Sequence, residues 1–329
     1  MEINGPRADD PGVRSIALAV AAALVAGLLA LAAPAHADEP LFVDWTSLLP
    51  SLTNTYEPSS ANDCSAGRSS CVGKTIREMQ RRFDPLAHAC NPNAVFALAY
   101  LRTTQTYEWA RDQQGFFDDT PFVNHEDAVF ARYYFDAYDD WAAGRRGEVP
   151  QAWLTALDAG AGHQVSGVGG LFLGMSAHVN RDLPYVLADI GLTYPDGSSR
   201  KADHDKVNQF LNAVLDPLLA EEAARFDPAV DDAHDPLLLG YTTMFQLLAV
   251  WREAAWRNAE RLVSAPTPAA RAQVAQSIED YAAGMATTIK LATSYVWPLT
   301  TSASQDAYCS THKSASAPIA YAFGMPSPW

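Results

Sequence analysis

Residues 171–192, LFLGMSAHVNRDLPYVLADIGL, constrain the fold of this chain most strongly, because they predict a helix that is apolar on almost every side. Leu171, Met175 and Val186 share one face of the helical wheel, and Leu183 covers part of another. A helix that is apolar all round is buried at the centre of a larger protein. We therefore expect a core built around this central helix.

Polar side chains interrupt the middle of this helix. His178 and Asp182 are four residues apart, so both side chains point the same way. A buried, unpaired carboxylate or imidazolium is costly, so such groups are paired or bind a metal. Two interpretations stay open. Either the pair supplies two ligands to one ion, or His178 is bonded to Asp182 in a structural cluster in which Arg181 pairs with another acid.

Helical spacing of apolar residues recurs along the chain, without convincing period-two alternation or hairpin dipeptides between β-branched residues. The pattern predicts an all-α protein with about eight or nine helices in one domain, residues 38–329, around the buried central helix. Asn124 is typical of a helix start, with Asp127 three residues later. Residues 295–329 are rich in Ser, Pro and Ala and are expected to form an extended tail.

The N-terminus has the features of a targeting segment. Arg14 precedes an apolar run over residues 16–33, and residues 35–37 (Ala-His-Ala) form a small-x-small cleavage pattern. We therefore predict a signal peptide over residues 1–37 and a secreted or extracytoplasmic protein. An uncleaved N-terminal membrane anchor is the alternative. No later apolar stretch is long enough to span a bilayer.

Four cysteines follow the predicted cleavage site, and an even number in an exported chain indicates two disulfides. Three connectivities are open. We favour Cys64–Cys71, which closes a loop rich in Ser and Gly, and Cys90–Cys309, which ties the C-terminal tail to an early helix.

The chain carries a formal charge of -15. This acidity argues against nucleic-acid binding by charge, because there is no basic surplus to release phosphate counterions. A phosphoester is still open as a substrate, but a metal would then have to supply the positive charge.

Three segments bring histidine together with carboxylates. They are residues 124–127, the His178–Asp182 pair and residues 203–208. If the segments meet, they suit zinc as first choice, or iron or manganese. The predicted metal ligands are His125, His178, Asp182 and His204. Asp127 and Asp205 are the predicted further ligand or general base, with Asp203 as an alternative. Arg181 or Asn180 is predicted to hold the substrate. The competing interpretation is that these acids only complement helix N-termini.

Four motifs resemble a domain-of-unknown-function family, number 5995, found in exported actinobacterial proteins. They are residues 75–79 (TIREM), 97–104 (ALAYLRTT), 173–184 (LGMSAHVNRDLP) and 251–256 (WREAAW). The resemblance implies a predominantly helical fold and no established activity.

A more distant similarity links His178, Asp182 and Pro184 to the zinc-dependent phospholipase C and single-strand nuclease superfamily, which places His-x3-Asp before a proline on a central helix. That superfamily also uses a mature N-terminal Trp and a further His after the proline. Here the predicted mature start is Asp38, and Tyr185 follows Pro184. The similarity therefore implies one or two metals and not three.

The leading hypothesis is an exported metal-dependent hydrolase that acts on an ester or phosphoester. The second is a non-catalytic exported protein that binds a lipid-like or other small molecule. It is motivated by the aromatic side chains along residues 130–141. A metal-dependent oxidative enzyme is the third.

Overall fold

A computed structural model describes residues 49, 51–233, 239–316 and 321 of the chain. The fold of these residues is all-α, which confirms the predicted class. All of them lie in one compact unit that spans residues 41–329. The predicted signal peptide, residues 1–37, lies outside the described residues. Within the described part of the chain, no helix is long and apolar enough to cross a membrane.

Nine helices are present in the described ranges when three consecutive segments of the central helix are counted as one. They are α1 (Ser69–His88), α2 (Ala94–Arg111), α3 (Thr120–Ala142), α4 (Gln151–Ala161), α5 (Gly167–Ser176, Ala177–Asp182 and Leu183–Ile190), α6 (Lys201–Arg225), α7 (Leu239–Ser264), α8 (Pro268–Thr293) and α9 (Ala303–His312). A 3₁₀ turn, Pro228–Ala233, follows α6.

Helix α5 is the buried central helix that the apolar pattern predicts. Leu171, Leu173 and Leu183 have almost no exposed surface. The helix packs against α2, α3, α4, α7 and α8. Gly174 allows α2 to approach closely, because a Cβ at this position would lie 2.2 Å from the ring of Phe96. This contact brings the first turn of α2 beside the polar middle of α5.

The middle of α5, Ala177–Asp182, is a π-helix. Pro184 follows at once, in the first turn of the next segment. Proline has no N–H and cannot donate the bond that continues an α-helix. Short π segments occur mostly inside α-helices and frequently at functional sites. This one contains both His178 and Asp182.

Helix α3 begins at Thr120, four residues before the predicted start. Asp119 caps it by accepting a bond from the backbone N–H of Phe122 (3.2 Å), and Pro121 occupies the first turn. Asn124 lies inside the helix, where its buried side chain accepts from the Tyr107 hydroxyl (2.7 Å). The N-cap predicted at Asn124 is therefore wrong.

Both favoured disulfides are present, Cys64–Cys71 and Cys90–Cys309. The second joins the chain just after α1 to α9. Residues 295–329 were predicted to be an extended tail, but Ala303–His312 within them forms a helix. Cys309 is buried in this helix, so the disulfide to Cys90 holds the helix against the rest of the domain.

Candidate active site

A cavity of about 140 Å³ lies between α2, α3, α5, α6 and α7. Most of its wall is apolar or aromatic. These lining residues are Phe96, Ala99, Val123, Phe130, Met175, Val179, Val207, Phe210, Leu211, Val214, Leu215, Leu218 and Leu248. The volume is close to that of a cavity that holds one benzene-sized molecule, roughly 150 Å³. The cavity therefore suits a small, mostly apolar ligand or part of a longer one.

Several residues that line the cavity carry a polar atom without a hydrogen-bond partner. Seven buried side-chain oxygen or nitrogen atoms of the described residues make no hydrogen bond. Four of them belong to residues that line the cavity: the hydroxyls of Tyr100 and Thr104, Oδ2 of Asp127 and Nε2 of His178. Buried polar groups are nearly always satisfied, and an exception often has a catalytic or binding role. A ligand with polar atoms would satisfy these four.

His178 and Asp182 form a hydrogen-bonded pair, with 3.0 Å between Nδ1 and Oδ2. Asp182 is fully buried and is fixed by two further donors, Trp153 Nε1 (2.9 Å) and Arg181 Nη1 (3.1 Å). Burial lowers the pKa of His178, although Asp182 opposes this effect. A neutral ring that donates from Nδ1 to a carboxylate keeps its lone pair on Nε2. His178 lines the cavity, and its Nε2 has no hydrogen-bond partner among the described residues.

Aromatic rings hold the imidazole of His178 in place. The ring of Phe130 stacks on it, with 3.5 Å between centroids and 4° between planes. Tyr100 lies at 4.5 Å and Trp153 at 5.9 Å. This enclosure restricts the orientation of the ring and excludes water from its faces, so Nε2 has one defined direction.

Two carboxyl groups on α3 also line the cavity. Burial raises the pKa of Asp127 to about 8, against the opposing charge of Arg111. Burial raises the pKa of Glu126 to about 7, and Arg252 opposes the rise. Asp127 is therefore mostly protonated at neutral pH and can donate a hydrogen bond. An acid and a neutral base thus lie on one cavity, which is the pattern of a general acid–base pair.

The other two predicted histidine ligands lie elsewhere. Each ring nitrogen of His125 faces a backbone carbonyl, Nδ1 that of Cys64 and Nε2 that of Asn54, both at 2.9 Å. His204 Nε2 faces the carbonyl of Arg252 (3.2 Å), and its Nδ1 faces Arg252 Nη2 (3.3 Å). Both histidines are occupied by structural contacts.

The predicted four-ligand set is therefore not assembled. No group of three or more His, Cys, Asp or Glu side chains that could hold a metal ion occurs in the described ranges. The expectation that three sequence segments meet at one ion needed the side chains of His125 and His204 to point inward together. Backbone carbonyls distant in sequence, and for His204 also the Arg252 guanidinium, contact their ring nitrogens instead.

The remaining predicted residues divide between the cavity and the scaffold. Asp127 lines the cavity, whereas Asp205 is exposed and pairs with Lys201 (2.7 Å). Arg181 pairs with Glu279 (3.0 Å) as well as Asp182, as the structural alternative has it. Asn180 donates to Ser176 Oγ (3.0 Å), and its unpartnered Oδ1 does not belong to the cavity wall.

Asp203, the alternative acid, is also structural. Its two carboxyl oxygens accept from the backbone N–H groups of Asp118 (2.8 Å) and Asp119 (2.9 Å). It therefore fixes the turn that precedes α3.

Sequence reasoning missed Tyr100, Thr104, Glu126 and Arg252 as site residues. Tyr100 and Thr104 are four residues apart on α2, on the same face as each other. The available signal was a pair of hydroxyl side chains on one face of α2, the first of them in its apolar first half. Glu126 lies in the selected segment 124–127 but was not chosen from it, and Arg252 gave no signal, because charged residues on long helices are usually solvated.

A model described as "Family of unknown function (DUF5995)" matches residues 72–292. The chain belongs to this family. The match contains every residue that lines the cavity, and it confirms the resemblance found from the four sequence motifs. Neither curated proteins nor solved structures gave a match. The similarity to the zinc-dependent phospholipase C and nuclease superfamily stays a prediction.

Proposed function

We propose that this DUF5995 protein is an extracytoplasmic acid–base hydrolase of a small, largely apolar ester. The observation that carries the proposal is the pair of unpartnered atoms on one apolar cavity, His178 Nε2 and Asp127 Oδ2. The two disulfides support export, since such bonds persist in oxidising compartments.

His178 is the general base in this proposal. Nε2 takes a proton from a water molecule, whose oxygen attacks the ester carbonyl carbon. Asp182 is a positioning residue, because it holds Nδ1–H and so keeps the lone pair on Nε2. This division follows the general rule that a catalytic base is itself oriented by a third group.

Asp127 is the general acid. As the carbon–oxygen bond breaks, its carboxyl proton passes to the leaving alkoxide, and the products are a carboxylic acid and an alcohol. Solvent then carries the proton from the imidazolium back to the Asp127 carboxylate. The raised pKa of Asp127, about 8, keeps the acid form populated at neutral pH.

The hydroxyls of Tyr100 and Thr104 supply donors for the carbonyl oxygen. Neither has a partner in the described part of the chain. Donors that are already in place where negative charge develops lower the barrier without reorganisation. A phosphate dianion would meet two carboxyl groups, with Arg252 as the one cationic side chain among the lining residues, so a carboxylic ester, whose reacting group is neutral, is the better substrate.

A metal-dependent hydrolase remains the second form of this proposal. Of the four predicted ligands, His178 alone has a ring nitrogen without a partner that faces the cavity. Elemental analysis of the protein purified without a His tag tests it. Near-stoichiometric zinc, iron or manganese that is lost in His178→Ala would favour metal-assisted attack.

Non-catalytic binding of a small lipid-like molecule is the second candidate function. The predominance of aliphatic and aromatic side chains on the cavity wall favours it.

The hydrolase is tested with p-nitrophenyl esters of increasing acyl length. We expect His178→Gln to lower kcat/KM by roughly 10²-fold or more, the usual contribution of a general base. His312→Gln, on an exposed histidine of α9, is the matched control and should leave the rate unchanged. Asp182→Asn should present an amide N–H to Nδ1, reverse the tautomer, and change the pH–rate profile as well as kcat.

Wild-type rates in the His178→Gln variant would refute the role of His178. An inactive wild type that retains a ligand in native mass spectrometry would leave the binding function in its place.

A further inference from the structure

Arg252 is a buried guanidinium whose hydrogen-bond partners are neutral. It is 5% exposed and lies on α7 at the wall of the cavity. Nε donates to Asn208 Oδ1 (2.9 Å), and Nη2 donates to the carbonyl of His204 (2.7 Å). No hydrogen bond of Nη1 and no ion pair of Arg252 occurs among the described residues. A buried charge is normally paired because leaving it unpaired is costly.

Glu126 is the acid whose charge acts most on Arg252. Its own carboxyl is neutral for much of the time near pH 7, because burial raises its pKa to about 7. Glu126 therefore compensates Arg252 only in part, and in its neutral form it is a further donor on the same wall. The guanidinium is left to pair with a group that enters the cavity.

The cavity is elongated along α6, and Arg252 lies at one end of it. The lining residues of α6 run from Val207 to Leu218, a rise of about 16 Å at roughly 1.5 Å per residue. Arg252 binds to His204 and Asn208, at the start of this run. His178 lies towards the other end, whereas Glu126 and Asp127 lie between the two.

His178 lies beside the first two turns of α2, with 4.5 Å between its ring and that of Tyr100 and 6.1 Å to that of Phe96. The opposite end of the α2 lining faces the start of α6, where the rings of Tyr107 and Phe210 are 6.0 Å apart. A molecule that touches both His178 and Arg252 must therefore extend along the apolar wall.

We propose that Arg252 binds the carboxylate end group of an elongated ligand whose apolar body lies along α6. This inference rests on the proposed function, since it assigns the substrate class of the same cavity. The substrate would be an ester that also carries a free carboxylate, held at Arg252, with its ester group near His178. Guanidinium–carboxylate hydrogen bonds are charge-assisted and set orientation as well as affinity.

Binding is measured apart from hydrolysis, by titration calorimetry of the full mature chain with octanoate and with octan-1-ol. We expect the wild type to bind octanoate roughly ten- to a hundredfold more tightly than octan-1-ol, as charge-assisted hydrogen bonds do. Arg252→Gln should abolish this preference and leave octan-1-ol affinity within about twofold. Arg252→Lys, which keeps the charge, should retain part of it.

Arg257→Gln is the matched control, because Arg257 lies on the same helix but is exposed and paired with Glu253 (2.8 Å). It should keep the wild-type preference, and circular dichroism should show equal helicity in all variants. Equal affinity for octanoate and octan-1-ol in the wild type, a preference that survives in Arg252→Gln, or no binding of either probe would overturn the assignment. If Arg252→Gln does not fold, Asn208→Leu tests the same guanidinium through its anchor.

The two proposals fail separately. Octanoate preference that depends on Arg252, without hydrolysis of any ester, would refute the hydrolase and leave the carboxylate site. Hydrolysis that depends on His178, with equal rates on a dicarboxylate monoester and its neutral diester, would refute the carboxylate site alone.

Discussion

Replacement of Asp127 by Asn should change how the stability of this protein depends on pH. Asn keeps the shape of the side chain and a hydrogen-bond donor but cannot ionise. An increase of the Asp127 pKa from 3.8 to about 8 corresponds to about 6 kcal/mol of unfolding free energy, at about 1.4 kcal/mol per tenfold change in proton affinity. Asp127 as a whole residue is only half-buried, and solvent screening reduces the effect, so we expect about 2 to 4 kcal/mol.

The sign follows from the raised pKa of Asp127. The folded state holds the proton more tightly than the unfolded chain does, so the contribution to stability is complete below about pH 4. It is lost as the pH rises from the unfolded pKa of 3.8 towards the folded pKa of about 8. The wild type should therefore lose stability across this window, and Asp127→Asn should lose less.

Chemical unfolding followed by tryptophan fluorescence measures this difference, with disulfides intact, at about pH 5 and about pH 8. Glu126 is present in both proteins and titrates in part of the same window, since its pKa is raised to about 7. Its charge also raises the pKa of Asp127, so the measured difference includes the coupling between the two carboxyl groups. Asp205→Asn, an exposed aspartate on α6, is the control and should follow the wild type. Parallel pH dependences of Asp127→Asn and wild type would refute the buried, protonated carboxyl and with it the general acid.

Two further predictions concern the scaffold. Glu222 is fully buried, makes no hydrogen bond in the described part of the chain, and has a pKa raised by burial and by Glu221. Glu222→Met should therefore raise the unfolding free energy by about 1 to 3 kcal/mol near pH 8 and by less near pH 5. Urea unfolding at the two pH values measures this change. Cys90 and Cys309 are 219 residues apart and Cys64 and Cys71 are 7 apart, so chain entropy predicts losses of about 5 and about 2.5 kcal/mol for the two paired Cys→Ala variants; equal losses would contradict this ordering.

The spacing of apolar residues predicted most of the fold. Apolar spacing of 3.6 residues located the helices, and the all-round apolar pattern identified α5 as central, because burial on every side needs that composition. Boundaries were less predictable. Asn124 and Asp119 are both residue types that cap helices, and only the tertiary contact of Asn124 with Tyr107 shows that it is interior.

The site was partly predictable. His178, Asp182 and Asp127 stand out as polar residues on apolar helices, and the structure places His178 and Asp127 on one cavity. Arg252 could not be predicted, since its isolation depends on which neutral groups of α6 face it. The sequence names the charged residues of a helix but not the partners that satisfy them.

The three histidines predicted as ligands show how a functional histidine differs from a structural one. His125, His178 and His204 are all at least 97% buried, so burial alone does not separate a functional histidine from a structural one. Both ring nitrogens of His125 and of His204 have contacts. In His178 one nitrogen is fixed by Asp182, and the other is left open on a cavity. A core that only needed stability would satisfy this last nitrogen or replace the ring by an apolar one, because an unpaired buried polar atom is costly. The unpartnered Nε2 of His178 therefore lowers the stability of the folded protein, and a hydrogen bond to a ligand or substrate in the cavity would recover that loss.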